Sequence, residues 1–274
     1  MSQVPTITLN DGNKIPQLGF GVWQVSTEDI VTSVAKALEV GYRHIDTAAI
    51  YGNEEGVGRA IAESGIPREE LFITTKLWND KHGHDDALAA IQTSLEKLGL
   101  DYVDLYLIHW PTPAKDNYLE AWLALEEIKS KGWSKSIGVS NFLEDHLRKV
   151  VAESSTVPTV NQIELHPTFS QEPLVAVNSE LGIVTQSYSP LGLAKDLANP
   201  QIQELAGKLG RTPAQVILRW HVQKGYVVFP KSVTPARIEE NFDIFGFELS
   251  DDDLAVIDAV NVDGRNNPHP NEFN

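Results

Sequence analysis

An aspartate, a tyrosine, a lysine and a histidine (Asp46, Tyr51, Lys76 and His109) stand at or just beyond the ends of three successive apolar runs. Brought together, they could protonate the oxygen of a carbonyl group under reduction. Hydride arriving at a carbonyl carbon leaves negative charge on oxygen, so a proton donor has to lie beside it. A tyrosine hydroxyl, with an ordinary pKa near ~10, is a weak acid at neutral pH unless its anion is stabilised. A lysine ammonium within ~4–6 Å favours the phenolate and is expected to lower that pKa. The lysine needs a counter-charge to stay protonated in a dry site, and an aspartate supplies one. A histidine can hydrogen-bond the carbonyl oxygen and orient it. Taken singly, each residue has an ordinary explanation: a structural Asp–Lys pair, a histidine packed beside Trp110-Pro111, a tyrosine covering the loop at Gly52. The set, at matching strand ends, carries the functional reading.

The elements that would position these residues alternate along the chain. Short apolar runs at 18–22, 43–46, 71–76, 103–109, 136–140, 160–164, 183–188 and 226–230 predict strands. Stretches with helical spacing lie between most of them, as at 28–40, 54–64, 86–98, 118–131 and 213–224. Gly41, Gly99 and Gly132 follow three of these stretches, where left-handed caps fall, and Thr212-Pro213 forms an N-cap and first-turn pair. Eight strand–helix units in 274 residues predict an α/β fold, a closed (β/α)8 TIM barrel, whose usual size is ~250 residues. An open doubly wound sheet shares the same alternation. Residues 6–9, the turn Asn10-Asp11-Gly12-Asn13 and residues 14–16 predict an N-terminal β-hairpin ahead of the barrel. Barrel enzymes place their reacting groups at the C-terminal ends of the strands. The polar residues there are Asp46, Lys76, His109, Ser140-Asn141 and Glu164, with Gln162 inside its strand and Tyr51 in the loop after Asp46. Such groups are costly to bury singly and less so where they converge.

Composition narrows the classes further. Hydrophobic residues make up 42% of the chain, enough for a substantial core. The net charge of −16 opposes binding to nucleic acid or anionic lipid, so neither is expected as a partner. The absence of cysteine removes disulfides, thiolate catalysis and Cys-based metal sites, and is compatible with a reducing compartment. Residues 1–5 lack the basic and apolar regions of a signal peptide, and no apolar run approaches the ~18 residues of a membrane span. The expectation is one cytoplasmic domain over residues 1–274, monomeric, since a barrel of this kind needs no second copy to complete its site.

The segments Gly41-Tyr42-Arg43-His44-Ile45-Asp46-Thr47-Ala48 and Tyr51-Gly52-Asn53-Glu54 resemble the signature of the aldo-keto reductases. So do Ile73-Thr74-Thr75-Lys76-Leu77-Trp78, Asp104-Leu105-Tyr106-Leu107-Ile108-His109-Trp110 and Ile137-Gly138-Val139-Ser140-Asn141. The likeness runs in order from the hairpin to Arg265, and within the family it is nearest to the bacterial 2,5-diketo-D-gluconate reductases. It implies a barrel without a Rossmann domain, NADPH extended across the strand ends, and a catalytic tetrad of Asp46, Tyr51, Lys76 and His109. It further implies that Ser140, Asn141 and Gln162 hold the carboxamide, that Tyr188 stacks on the nicotinamide, and that Ser189 and Leu191 line the cofactor. Lys231, Ser232, Val233, Thr234 and Arg237 would surround the 2′-phosphate, with Glu240 and Asn241 near the adenine. Two cations and two hydroxyls suit a phosphate dianion better than a ribose diol. Tyr188 and Thr234 stand where the sugar-acid reductases carry Trp and Arg, so the substrate is left open between small aldehydes, ketones, dicarbonyls and keto-sugars. The expected walls of the substrate site are Trp23, Ala48, Trp78, His109 and Trp110, and the polar stretch 266–274 leaves little sequence for a long lid.

Rival chemistries fit less well. Gly138-Val139-Ser140-Asn141-Phe142 begins like a hydrolase nucleophile elbow but lacks its second glycine. Gly19-Phe20-Gly21 lacks the third glycine of a dinucleotide fingerprint. His82, His84 and His166 read as loop residues, and no metal site is expected. A specific 2,5-diketo-D-gluconate reductase and a non-catalytic NADPH-binding barrel remain as alternatives.

Overall fold

A computed structural model describes residues 4–274; Met1, Ser2 and Gln3, part of the segment read above for a targeting signal, lie outside that range. Strands β1 (Thr6–Thr8) and β2 (Lys14–Pro16) form an antiparallel hairpin in which Ile7 faces Ile15. Eight parallel strands follow in sequential order: β3 (Phe20–Gly21), β4 (His44–Asp46), β5 (Phe72–Leu77), β6 (Val103–Ile108), β7 (Ser134–Ser140), β8 (Val160–Glu164), β9 (Val184–Tyr188) and β10 (Val227–Val228). The sheet closes on itself. Leu18 bridges Val228 in parallel, Gly19 N–H donates to the Val228 carbonyl at 2.8 Å, and Val228 N–H donates to the Gln17 carbonyl at 2.8 Å. The expected barrel and its hairpin are therefore both present.

β5, β6 and β8 are buried at every position, as strands covered by helices outside and packed side chains inside have to be. Apolar residues accordingly dominate β6, while the polar residues within β5 and β8, Thr74, Thr75, Asn161 and Gln162 among them, are buried as well. Ile15 and Leu9 of the hairpin pack with Phe72, Leu105, Leu107, Val160 and Val227, which makes the hairpin a plug in the N-terminal opening. The outer layer includes α1 (Ile30–Val40), α2 (Glu54–Ser64), α3 (His84–Leu98), α4 (Tyr118–Ser130), α5 (Glu144–Glu153), α6 (Glu172–Glu180), α7 (Pro200–Leu209), α8 (Pro213–Gln223), α9 (Pro235–Phe242) and α10 (Asp251–Asp258). The predicted span 54–64 coincides with α2 and 213–224 overruns α8 by one residue. Thr212 caps α8 through a reciprocal pair with Gln215, as the Thr-Pro signal predicts. The predicted strand 226–230 pairs with β9 only over Val227–Val228. Pro230, which has no N–H, ends that ladder, and its carbonyl accepts from Gly21 N–H instead.

Candidate active site

Asp46 ends β4, Lys76 is the penultimate residue of β5, and His109 follows β6, so three expected groups share the C-terminal rim of the barrel. Tyr51 closes a helical turn, Ala49–Tyr51, that ends at Gly52 in the left-handed region (φ +67°), where a residue without Cβ is favoured. The Lys76 ammonium is fully buried and lies 2.5 Å from Asp46 Oδ1, donating also to the Thr47 carbonyl at 2.8 Å. It stands 5.2 Å from the centroid of the Tyr51 ring. The His109 imidazole meets the Tyr51 ring edge-on at 5.7 Å and the Trp78 indole at 5.2 Å.

A second tier supports this group. Gln162 Nε2 donates to Asp46 Oδ2 at 2.8 Å and to Gln186 Oε1 at 3.0 Å, so the aspartate is held from both oxygens. Gln186, on β9, carries no sequence signature and escaped the sequence reading. Asn141 adopts φ +62° after β7; its Nδ2 donates to the His109 carbonyl at 3.0 Å and to Ser140 Oγ at 3.1 Å. Its Oδ1 accepts from the Tyr188 hydroxyl at 2.7 Å, and Ser140 Oγ donates to the Gln162 carbonyl at 2.9 Å. Ser140, Asn141, Gln162 and Tyr188 are thus one connected network beside the four rim residues. Ser189 (φ +49°) and Leu191 follow in the loop after β9.

Electrostatics departs from expectation at the tyrosine. Burial, then the Asp46 charge, then Tyr188 push the Tyr51 hydroxyl well above its ordinary range. The anticipated lowering by Lys76 is not found: burial, the largest contribution, and the Asp46 charge both favour the neutral phenol. Burial pushes Lys76 down despite the opposing pull of Asp46 and Glu54. His109 is held well below its ordinary value by burial and by Lys76, so it is neutral at physiological pH.

The cationic cluster gathers at the start of α9. Lys231, Val233, Thr234 and Arg237 are exposed, Ser232 is buried, and Ser232 Oγ accepts from Thr234 N–H at 3.1 Å. Among the described residues neither Lys231 nor Arg237 takes part in an ion pair. Glu240 Oε1 accepts from Thr212 Oγ1 at 2.9 Å, which ties its carboxylate to the α8 cap, and Asn241 is buried.

The expected substrate walls separate on inspection. Trp78 and Trp110 flank the rim, and Trp23 is 42% exposed beside it. Ala48 is fully buried beneath the Tyr51 turn and has no open surface to offer a ligand. The C-terminal segment supplies what the sequence did not reveal. Glu164 accepts the Asn266 and Asn267 N–H groups at 2.7 and 3.0 Å, and Asn274 Oδ1 accepts from Ala114 N–H at 2.7 Å. Between these anchors Phe273 stacks on Trp110 (4.5 Å) and approaches Trp78 (6.3 Å). The stretch 266–274, short for a lid as expected, nevertheless crosses the rim from the end of β8 to the loop after β6.

Two histidines read as loop residues are also buried. His82 bonds Asn117, and burial lowers it to about 4. His166 lies between Asp196 (3.0 Å) and Glu164 (3.2 Å), which hold it above its ordinary value against the cost of burial. No cluster of three metal-binding side chains occurs among the described residues.

A closed barrel with this rim constellation defines an oxidoreductase of the Rossmann-free type. The profile of the Aldo/keto reductase family matches residues 17–262, and the chain belongs to that family. It is 51% identical over 275 residues to methylglyoxal reductase DkgA of Escherichia coli (strain K12), across 100% of this chain and 99% of the relative. The solved aldo/keto reductase from Brucella melitensis is 54% identical with a TM-score of 0.92, over 94% of this chain and 100% of that one. A Gox0644 point variant in complex with NADPH is 45% identical with a TM-score of 0.96, over 100% of both chains.

Proposed function

We propose that the protein reduces small aldehydes, ketones and dicarbonyls to alcohols, with Tyr51 giving the proton. The observation that carries this reading is the buried Lys76–Asp46 pair, 5.2 Å from the Tyr51 ring and bordered by neutral His109. NADPH, when bound, supplies the hydride. The raised Tyr51 pKa keeps the phenol protonated at neutral pH, ready to neutralise an oxygen that becomes strongly basic as hydride reaches carbon. Lys76 offsets the phenolate that is left behind, and Asp46, held by Gln162, keeps Lys76 protonated and in place. Neutral His109 has a hydrogen-bond donor for the carbonyl oxygen without adding a second cation beside Lys76.

The chain's own groups suit the cofactor. Lys231 and Arg237, free of ion pairs among the described residues, flank the N-terminus of α9 with Ser232 and Thr234. In a chain of net charge −16, two free cations at a helix N-terminus fit a phosphate dianion. The NADPH complex of the Gox0644 variant supports NADPH as the cofactor. Ser140, Asn141 and Gln162 would hold the carboxamide, Tyr188 would stack on the ring, and Ser189, Leu191, Val233, Glu240 and Asn241 would border the rest.

Trp23, Trp78, Trp110 and Phe273 form the substrate walls, with Ala48 as backing. Rigid aromatic surfaces select shape more than hydroxyl pattern, so several small carbonyl compounds should react. The similarity to a methylglyoxal reductase favours dicarbonyls among them. We further place the protein in the cytoplasm as a single-domain monomer over residues 1–274. No described helix is long and apolar enough to cross a membrane. The test is NADPH oxidation over a panel of aldehydes, dicarbonyls and keto-sugars. Values of kcat/KM within about two or three decades support a broad reductase, since apolar contacts discriminate by ~10–200-fold each. One keto-sugar acid ahead by about five decades would point to the 2,5-diketo-D-gluconate alternative, and binding without turnover would point to the non-catalytic one.

A further inference from the structure

Tyr51 is carried on a short turn, and a donor on a short turn needs something to fix its distance from Lys76. The two residues that follow Gly52 are both buried and both bonded away from solvent. Asn53 Oδ1 accepts from Thr47 Oγ1 at 2.9 Å, and its Nδ2 donates to the Val22 carbonyl at 2.9 Å. One side chain thereby ties the turn to the ends of β3 and β4. Glu54, the first residue of α2, accepts from Thr75 Oγ1 at 2.6 Å through Oε1, while its Oε2 is buried without a partner. Thr75 immediately precedes Lys76 on β5.

We propose that Glu54 is a positioning residue, which fastens the Tyr51 turn to the Lys76 strand through Thr75, with Asn53 as the opposite fastening. The proposal rests on the assignment of Tyr51 as proton donor. A carboxylate without a purpose is an expensive group to bury, and one oxygen of Glu54 has no hydrogen bond to offset that cost. Its place at the N-terminus of α2 provides partial compensation from the helix dipole. The field of Glu54 also reaches Lys76, favouring the ammonium, which places the two groups in one neighbourhood. The Glu54–Thr75 bond joins the element holding the donor to the element holding its charge partner, three residues after the first and one before the second. Loss of that bond would let the turn shift relative to β5, and a displacement on the order of 1 Å costs about 10²-fold in rate.

The test compares Glu54→Leu with Glu54→Gln, whose carboxamide oxygen can still accept from Thr75. Glu54→Leu is expected to lower kcat for methylglyoxal by about 10- to 100-fold. NADPH affinity, read from quenching of tryptophan fluorescence, should stay within about twofold, and Glu54→Gln should recover most of kcat. In protein labelled with 3-fluorotyrosine, the Tyr51 ¹⁹F signal, assigned with Tyr51→Phe, should move or broaden in the Leu variant and return in the Gln variant. That signal does not require turnover, so it separates failure of this inference from failure of the reductase reading. Should Glu54→Leu not fold, Thr75→Val, which keeps the side-chain shape, is expected to give the same signature. A folded Leu or Val variant with wild-type kcat and an unmoved Tyr51 signal would overturn the proposal. So would a parallel loss of NADPH binding and kcat, which marks a general structural role.

Discussion

Replacing Lys76 with methionine preserves much of the side chain's length and removes its charge, which makes it a direct probe of the buried pair. In the native protein the ammonium has no solvent exposure and two partners, Asp46 Oδ1 at 2.5 Å and the Thr47 carbonyl at 2.8 Å. The substitution leaves Asp46 charged and buried, with the Gln162 donor at 2.8 Å as its remaining side-chain hydrogen bond. Breaking one partner out of a buried pair costs about 3–5 kcal/mol. At roughly 2–4 °C per kcal/mol for a domain of this size, the melting temperature should fall by roughly 6–20 °C. Adding Asp46→Asn removes the stranded charge, so the double variant should regain most of that stability while kcat stays depressed. Scanning calorimetry of the two variants, alongside NADPH oxidation, separates the stabilising and chemical parts. A Lys76→Met variant with native melting temperature, or with unchanged kcat and pH profile, would refute the assignment.

Arg237→Ala should raise KM for NADPH while leaving KM for NADH nearly unaltered, because the proposed partner of the guanidinium is the 2′-phosphate, which NADH lacks; equal losses with both cofactors would make Arg237 structural. Phe273→Ala should change KM across the carbonyl panel while NADPH affinity is preserved, since the ring packs on Trp110 and Trp78. Acid should destabilise the fold well above the pKa of carboxylates. Burial holds His44 near about 4, His221 near about 3 and His109 well below 6.5. As pH falls through 6.5 the unfolded chain takes up protons that the folded chain refuses, at ~1.4 kcal/mol per pH unit for each imidazole. Urea denaturation at pH 7 and pH 5.5 should therefore differ by several kcal/mol, and equal stabilities would show that these rings are not neutral in the fold.

The barrel was legible because parallel strands buried on both faces leave short, largely apolar runs that alternate with helical spacing, and the polar residues at their ends mark the rim. Asp46, Lys76 and His109 converge as that logic requires. What escaped depends on partners distant in sequence. The C-terminal segment is polar and aperiodic, and its course is set by two main-chain N–H groups captured by Glu164, a hundred residues earlier. Gln186 looked like any strand residue, yet it completes the chain of amides behind Asp46. His82 lies among polar neighbours in sequence, and the partners that hold His82 and His166 include Asn117 and Asp196, 35 and 30 positions away. The Tyr51 shift runs opposite to the sequence expectation for a related reason: burial of the phenol, its largest cause, and the nearby Asp46 charge are both set by tertiary packing.

The central claim is that the Tyr51 hydroxyl gives the proton, and Tyr51→Phe removes that one atom while sparing the ring against His109. Single-turnover oxidation of bound NADPH by methylglyoxal, measured beside NADPH affinity from fluorescence, isolates the chemical step. The account predicts a rate lowered by about 10²–10⁴-fold, the range for a lost general acid, with affinity unchanged. A variant that kept more than about a tenth of the native rate, roughly 1.4 kcal/mol of lost stabilisation, would contradict it.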